Sequence, residues 1–233
     1  MMAKILFVMT GADRWSLTTG AKHYTGYWAA EFTIAYLAFR EAGHEVLVAT
    51  PGGVVPPVDL GSLAPNANGG NDAAQEVAET IRGASVLEQP VALGEITAAD
   101  VDALYYPGGY GPMEDLAGNV DSAALLVDAR RAGKPLALIS HGPAALLATG
   151  DDFAGYRVTA FSNTEEQLNG LADRARWLLE DRLTELGVDY RRAEPFASHV
   201  ESDRGVYTGQ NPASTAELVA VVLDALSHPG ERS

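Results

Sequence analysis

The sequence predicts an α/β fold with a mainly parallel central sheet covered by helices on both faces. Three observations predict it. Apolar runs of four or five residues alternate with amphipathic segments, Gly- and Pro-rich turns join them, and 47% of the 233 residues are apolar, as in ordinary soluble globular chains. With no internal repeat, low-complexity segment or linker, one domain over residues 1–228 followed by a short polar tail, 229–233, is the economical organisation.

The first strand is the run Ile5-Leu6-Phe7-Val8-Met9, followed by a polar loop over 10–25. From 26 to 42, Trp28, Phe32, Ala35, Tyr36 and Phe39 recur at spacings of three and four, which places them on one helical face, and Gly43 is the expected C-terminal cap. Val46-Leu47-Val48-Ala49 completes a strand–helix–strand unit. The stretch 51–72 reads as a loop long enough to be functional. The unit recurs as a strand over 102–106, the turn Pro107-Gly108-Gly109-Tyr110-Gly111, a helix over 121–132 and a strand at Leu136–Ile139. A hairpin over 199–210 turns at Asp203-Arg204-Gly205, and a last helix over 212–226 carries the stripe Leu218, Val219, Val222 and Leu223.

Sixteen basic against thirty-one acidic side chains leave a formal charge of −15 with no basic run, so nucleic acids and anionic membranes are poor partners and a small molecule is the better one. No apolar stretch approaches the ~20 residues of a membrane span, and the N-terminal run lacks a signal-peptide pattern, which predicts a cytoplasmic protein. The absence of cysteine excludes disulfides, thiolate metal sites and thiol catalysis. The histidines at 23, 44, 141, 199 and 228 have no metal-ligand spacing and the glycine turn is not a dinucleotide fingerprint, so no metal or cofactor is expected.

The strand Leu136–Ile139 runs straight into Ser140-His141-Gly142-Pro143, where Gly142 permits a sharp turn and Pro143 suits a first helical turn. Ser140 therefore sits at the carboxyl end of a strand, where open α/β sheets bind ligands. The N–H groups of Gly109 and His141 are candidates for an oxyanion site, although both glycine-rich turns are equally readable as plain connections. Glu31 is either a solvated helix glutamate or a carboxyl partly buried among aromatic groups, with its pKa raised toward neutrality.

Five motifs in order, Tyr27-Trp28-Ala29-Ala30-Glu31-Phe32, Ala42-Gly43-His44-Glu45-Val46 with Ala49-Thr50-Pro51-Gly52-Gly53, Tyr106 to Gly111, Ser140 to Leu146, and Tyr207 to Ser214, resemble the ThiJ/PfpI superfamily (type 1 glutamine amidotransferase-like). Within it the branch of heat-shock chaperones and glyoxalase III enzymes is the nearest match. The resemblance implies a flavodoxin-like three-layer sandwich, a homodimer, and a pocket around a cysteine at the strand-to-helix turn. It assigns the helix glutamate to Glu31, the histidine after the nucleophile to His141, oxyanion donors to Gly109 and His141, and a distant acid to Glu166, with Glu165 the alternative register. The cysteine position holds Ser140, and Tyr110 stands where a histidine is common.

A serine hydroxyl is a far weaker acid than a thiol, so Ser140 needs a general base to act as a nucleophile. Three readings follow. In the first, an enzyme of altered hydratase, hydrolase or lyase chemistry uses Glu31 as acid/base on a small electrophile, with Trp15, His23, Tyr24 and Trp28 shaping an apolar pocket for a substrate larger than methylglyoxal, or simply packing. The second is glyoxalase III or deglycase chemistry run weakly by serine, or a Cys-to-Ser variant of such an enzyme. The third is a non-catalytic chaperone.

Overall fold

The computed structural model describes residues 2–228, so the tail expected at 229–233 lies outside the described residues. Strands β1 (Lys4–Val8), β4 (Glu45–Thr50), β5 (Val91–Ala92), β6 (Ala103–Tyr106), β7 (Leu136–Ile139), β10 (Val200–Asp203) and β11 (Val206–Gly209) form a seven-stranded sheet in the order β10-β11-β7-β6-β1-β4-β5. All its pairings are parallel except that of edge strand β10 with β11. Strands β4-β1-β6-β7-β11 reproduce the 2-1-3-4-5 order of flavodoxin-like folds. The remaining strands, β2 (Arg14–Ser16) with β3 (Lys22–Tyr24) and β8 (Arg157–Val158) with β9 (Asp189–Tyr190), make two small separate sheets.

Alternation along the strands divides the core in two. Ile5, Phe7, Ala103, Tyr105, Ala137 and Ile139 face α1 (Ala29–Glu41) and α8 (Thr215–Ser227), whereas Leu6, Val8, Leu104, Tyr106, Leu136 and Leu138 face α5 (Val120–Arg131). Phe7 is the centre of an aromatic cluster, its ring 5.8 Å from Phe32, 6.0 Å from Phe39 and 4.7 Å from Tyr105. Gly43 (φ 80) ends α1 as expected: its N–H donates to the Arg40 carbonyl and that of His44 to the Phe39 carbonyl, the paired bonds of a Schellman cap. The β10–β11 hairpin turns through Arg204 and Gly205, both at positive φ, which suits the right-handed twist of a two-residue turn.

Four segments depart from the sequence expectations. The first helix starts at Ala29 rather than 26, because the Tyr27 N–H and carbonyl pair instead with Pro57 and Asp59. The 51–72 stretch is largely ordered into short turns: the Asp59 carboxylate accepts the Gly61 N–H at 2.9 Å to start Leu60–Leu63, Pro65 opens α2 (Pro65–Asn68), and α3 (Asn71–Gly83) begins inside the stretch. The segment after Ser140 is a 3₁₀ helix, Gly142–Ala148, and the last helix is preceded by a separate 3₁₀ turn, Pro212–Ser214.

Phe39→Ala removes a fully buried ring from the α1 face, and should lower the unfolding free energy by about 3–5 kcal/mol in urea titration. A loss below about 1 kcal/mol would contradict the packing of α1 on the sheet.

Candidate active site

Ser140 follows β7 and is, among the described residues, one of three non-glycine residues at positive φ (57°). This left-handed conformation costs roughly 1–2 kcal/mol and is retained because the turn is tied on both sides. The Ser140 N–H donates to the Gly209 carbonyl at 2.9 Å and its own carbonyl accepts from Phe161 N–H at 3.0 Å. The turn after β6 comes so close that a Cβ on Gly108 would lie 2.8 Å from Ser140 Cβ and 2.7 Å from His141 N. Gly109 (φ 89) has no room for one either, since it would overlap the Gly26 carbonyl. Neither the Gly109 nor the His141 N–H is used in a backbone hydrogen bond among the described residues, so two donors remain beside Ser140.

Ser140 and His141 are each 3% exposed. The Ser140 hydroxyl lies 3.4 Å from His141 Nδ1, and His141 Nε2 lies 2.5 Å from Glu166 Oε1. With the Nε2–H donating to the carboxylate, Nδ1 presents its lone pair toward the serine. Tyr110 stands behind: its hydroxyl donates to Glu166 Oε2 at 3.0 Å, and its ring packs 4.4 Å from His141 opposite Phe161 at 4.5 Å. Burial holds the Tyr110 phenol far above its ordinary pKa, so it remains a neutral donor.

Of the two candidate acids, Glu166 reaches the histidine. Glu165, one residue earlier on α6 (Asn163–Leu168), instead accepts from Ser162, Phe196, Gln210 and Asn211. A capping box between Ser162 and Glu165 fixes the first turn of α6 and so aims the two consecutive carboxylates at different partners.

Glu31 is fully buried in the first turn of α1. Burial pushes its carboxyl up to about 8, offset in part by the Gly108 N–H and the nearby Ser140 hydroxyl. Gly108 N–H donates to Oε2 at 2.6 Å, while Oε1 is buried without a hydrogen-bond partner. The solvated alternative for Glu31 is excluded by its burial.

Gly109, Tyr110, Ser140 and His141 border a cavity of about 170 Å³ whose lining is completed by Trp28, Phe161, Asn169, Phe196 and Pro212. A cavity of about 150 Å³ holds a benzene-sized molecule, so the space suits about six non-hydrogen atoms, and its lining includes no Lys or Arg. The expectation of a pocket widened by four residues needs correction. Trp28 lines it, but Tyr24 is 77% exposed on the β2–β3 hairpin, His23 meets the edge of Tyr110 at 5.3 Å, and Trp15 is a core residue stacked on Tyr110 at 4.9 Å. Phe161, Asn169 and Phe196 escape sequence reasoning because they sit on irregular segments or helix ends without periodicity. Among the described residues no group of His, Asp and Glu is arranged to hold a metal, and no helix is long and apolar enough to cross a membrane.

A sequence profile of the DJ-1/PfpI family matches residues 24–225. The bovine Glutamine amidotransferase-like class 1 domain-containing protein 1 is 33% identical over 199 residues, 82% of this chain and 83% of its own. The protein/nucleic acid deglycase HchA of Staphylococcus aureus is 24% identical over 96% of this chain and 80% of its own. Among solved structures, the 24 kDa Rapid Encystment Protein of Francisella tularensis superposes with a TM-score of 0.85 at 27% identity, covering 97% of this chain and 99% of its own. Glyoxalase III of Candida albicans superposes with a TM-score of 0.82 at 21% identity, covering 96% and 97%, and shares the fold.

The Glu31 carboxyl shifts from an ordinary 4.5 to about 8, so between these values the native state keeps a proton that the unfolded chain releases. Its contribution to stability is intact below the lower value and declines by roughly 1 kcal/mol per pH unit as pH rises toward the upper one. Glu31→Gln should remove this slope, so the melting-temperature difference between variant and native protein should move in the variant's favour from about pH 5 to about pH 8. A difference independent of pH would show that Glu31 ionises as an ordinary glutamate.

Proposed function

Because the chain belongs to the DJ-1/PfpI family, we propose that its pocket is a cofactor-independent enzyme site in which Ser140, in place of a thiol, adds to the carbonyl carbon of a small uncharged substrate, and that the reaction is of the hydrolase type. The observation that carries this reading is the line Ser140–His141–Glu166, in which a strained serine meets a histidine whose far nitrogen is held by a buried carboxylate at 2.5 Å. It supplies the general base that a serine requires.

His141 Nδ1 takes the hydroxyl proton as the Oγ–carbon bond forms. The carbonyl π electrons move onto oxygen, which the Gly109 and His141 N–H groups receive. The tetrahedral adduct collapses with loss of the leaving group, which takes a proton from His141 Nδ1, and leaves an acyl-serine. Water, deprotonated by His141, then attacks the acyl carbon; the serine oxygen departs and regains its proton. The Ser140–His141 separation of 3.4 Å is of the looser kind found before substrate is bound. Glu31, whose carboxyl burial pushes up to about 8, serves as an additional proton donor to the departing group.

A second reading is favoured by the position of Glu31 and by similarity to the deglycase HchA. After Ser140 adds to the aldehyde carbon of a 2-oxoaldehyde, Glu31 in its minor ionised form would take the proton from that carbon and return it to the neighbouring one, converting the adduct to the same type of acyl-serine. Both readings use one pocket, and they differ in the role of Glu31 and in the substrate.

Small esters and lactones assayed for acid release, beside methylglyoxal assayed for lactate, separate them. The first reading expects hydrolysis that falls at least about 10³-fold in Ser140→Ala and about 10²- to 10⁴-fold in Glu166→Gln. Lactate from methylglyoxal, abolished by Glu31→Gln, would favour the second. Turnover within about tenfold of native in Ser140→Ala, together with loss in Glu31→Gln, would reduce Ser140 to a hydrogen-bond donor and overturn the nucleophile assignment.

A further inference from the structure

Phe196 is a cavity-lining residue held in an unfavourable conformation. It stands at φ 61, is 47% exposed and lies on the irregular segment 191–199, with its ring 6.3 Å from Phe161. A glycine would satisfy the backbone there, so an aromatic ring retained at such a φ points to a use for the ring itself.

The segment is tied down by one buried carboxylate. Glu165 Oε1 accepts the Phe196 N–H at 2.9 Å and Asn211 Nδ2 at 2.8 Å, and Oε2 accepts Gln210 Nε2 at 3.1 Å. Gln210 Oε1 in turn accepts the Ala193 N–H at 2.8 Å, and Asn211 Nδ2 also donates to the Ala197 carbonyl at 2.8 Å. Residues 193, 196 and 197 are thus all traced to Glu165, directly or through one side chain. None of the hydrogen bonds of Glu165 goes to Ser140 or His141.

We propose that Phe196, on a strap fastened by Glu165, sets the size limit of what reaches position 140, admitting compact ligands and refusing those with an aryl group beside the reacting atom. Glu165 is a positioning residue, acting through the strap. The proposal deepens the reading of the pocket as a small-molecule site and takes from it only the identity of the reacting atom.

The chain has no cysteine, so Ser140→Cys introduces a single thiol whose alkylation reports access to this point whether or not the native serine is a nucleophile. Rates with iodoacetamide and with N-phenylmaleimide would be followed by intact mass in Ser140→Cys alone and combined with Phe196→Ala, Phe196→Gly or Glu165→Gln. Phe196→Gly removes the ring while suiting the backbone, which guards against a folding failure. The ratio of bulky to compact rates should rise at least about tenfold in both Phe196 variants and move the same way in Glu165→Gln. A ratio that stays constant in the Phe196 variants, including the case where both rates rise by one factor, would overturn the size limit. A rise in those variants without one in Glu165→Gln would overturn the positioning role. Failure of the hydrolysis assay would be a separate result, since the thiol measures access alone.

Discussion

The site is organised by the left-handed turn at Ser140. To leave β7 at φ 57 the chain must be held on both sides, and the Gly209 carbonyl and the Phe161 N–H do this. The turn then brings His141 and the Gly109 loop into one small volume, which only glycine at 108 and 109 can accommodate. His141 caps the 3₁₀ helix that follows, so its N–H has no partner within that helix. Strain at one residue is thus coupled to a reactive hydroxyl and to donors positioned for negative charge, as expected where unfavourable conformations are kept for function.

Around this turn, consecutive glutamates divide their roles. Glu166 fixes the far nitrogen of His141 with help from the Tyr110 hydroxyl, and Glu165 fastens the strap that carries Phe196. Tyr110, a buried neutral phenol, donates to the Glu166 carboxylate and so helps to orient it. Glu31 is different in kind. Its environment offers one N–H and little other compensation, so burial favours the proton, whereas Glu165 is satisfied by five donors.

Much of this architecture is legible in the sequence because it rests on local rules. The α1 stripe, the Gly43 cap, the Arg204-Gly205 turn and the strand-to-turn passage at Ser140 each depend on residues within a few positions of one another. The rest depends on distant contacts. Nothing local separates Glu165 from Glu166; the distinction comes from which way a capped six-residue helix presents them. Trp15 and His23 are close to Tyr110 through a small hairpin, but behind it rather than in the cavity, and Phe161 and Phe196 reach the pocket from segments without periodicity. The Ser140 helix follows the 3₁₀ rather than the α pattern, which sequence cues of proline and glycine do not distinguish.

The central claim is that His141 and Glu166 make Ser140 nucleophilic. Methanesulfonyl fluoride is small enough for the cavity and transfers its sulfonyl group to an activated serine with release of fluoride, so intact-mass and peptide mapping read the claim directly. The account predicts a single adduct on Ser140, absent in Ser140→Ala and at least about 10²-fold slower in Glu166→Gln. A protein that stays unmodified, or a label carried elsewhere with Ser140 untouched, would contradict it.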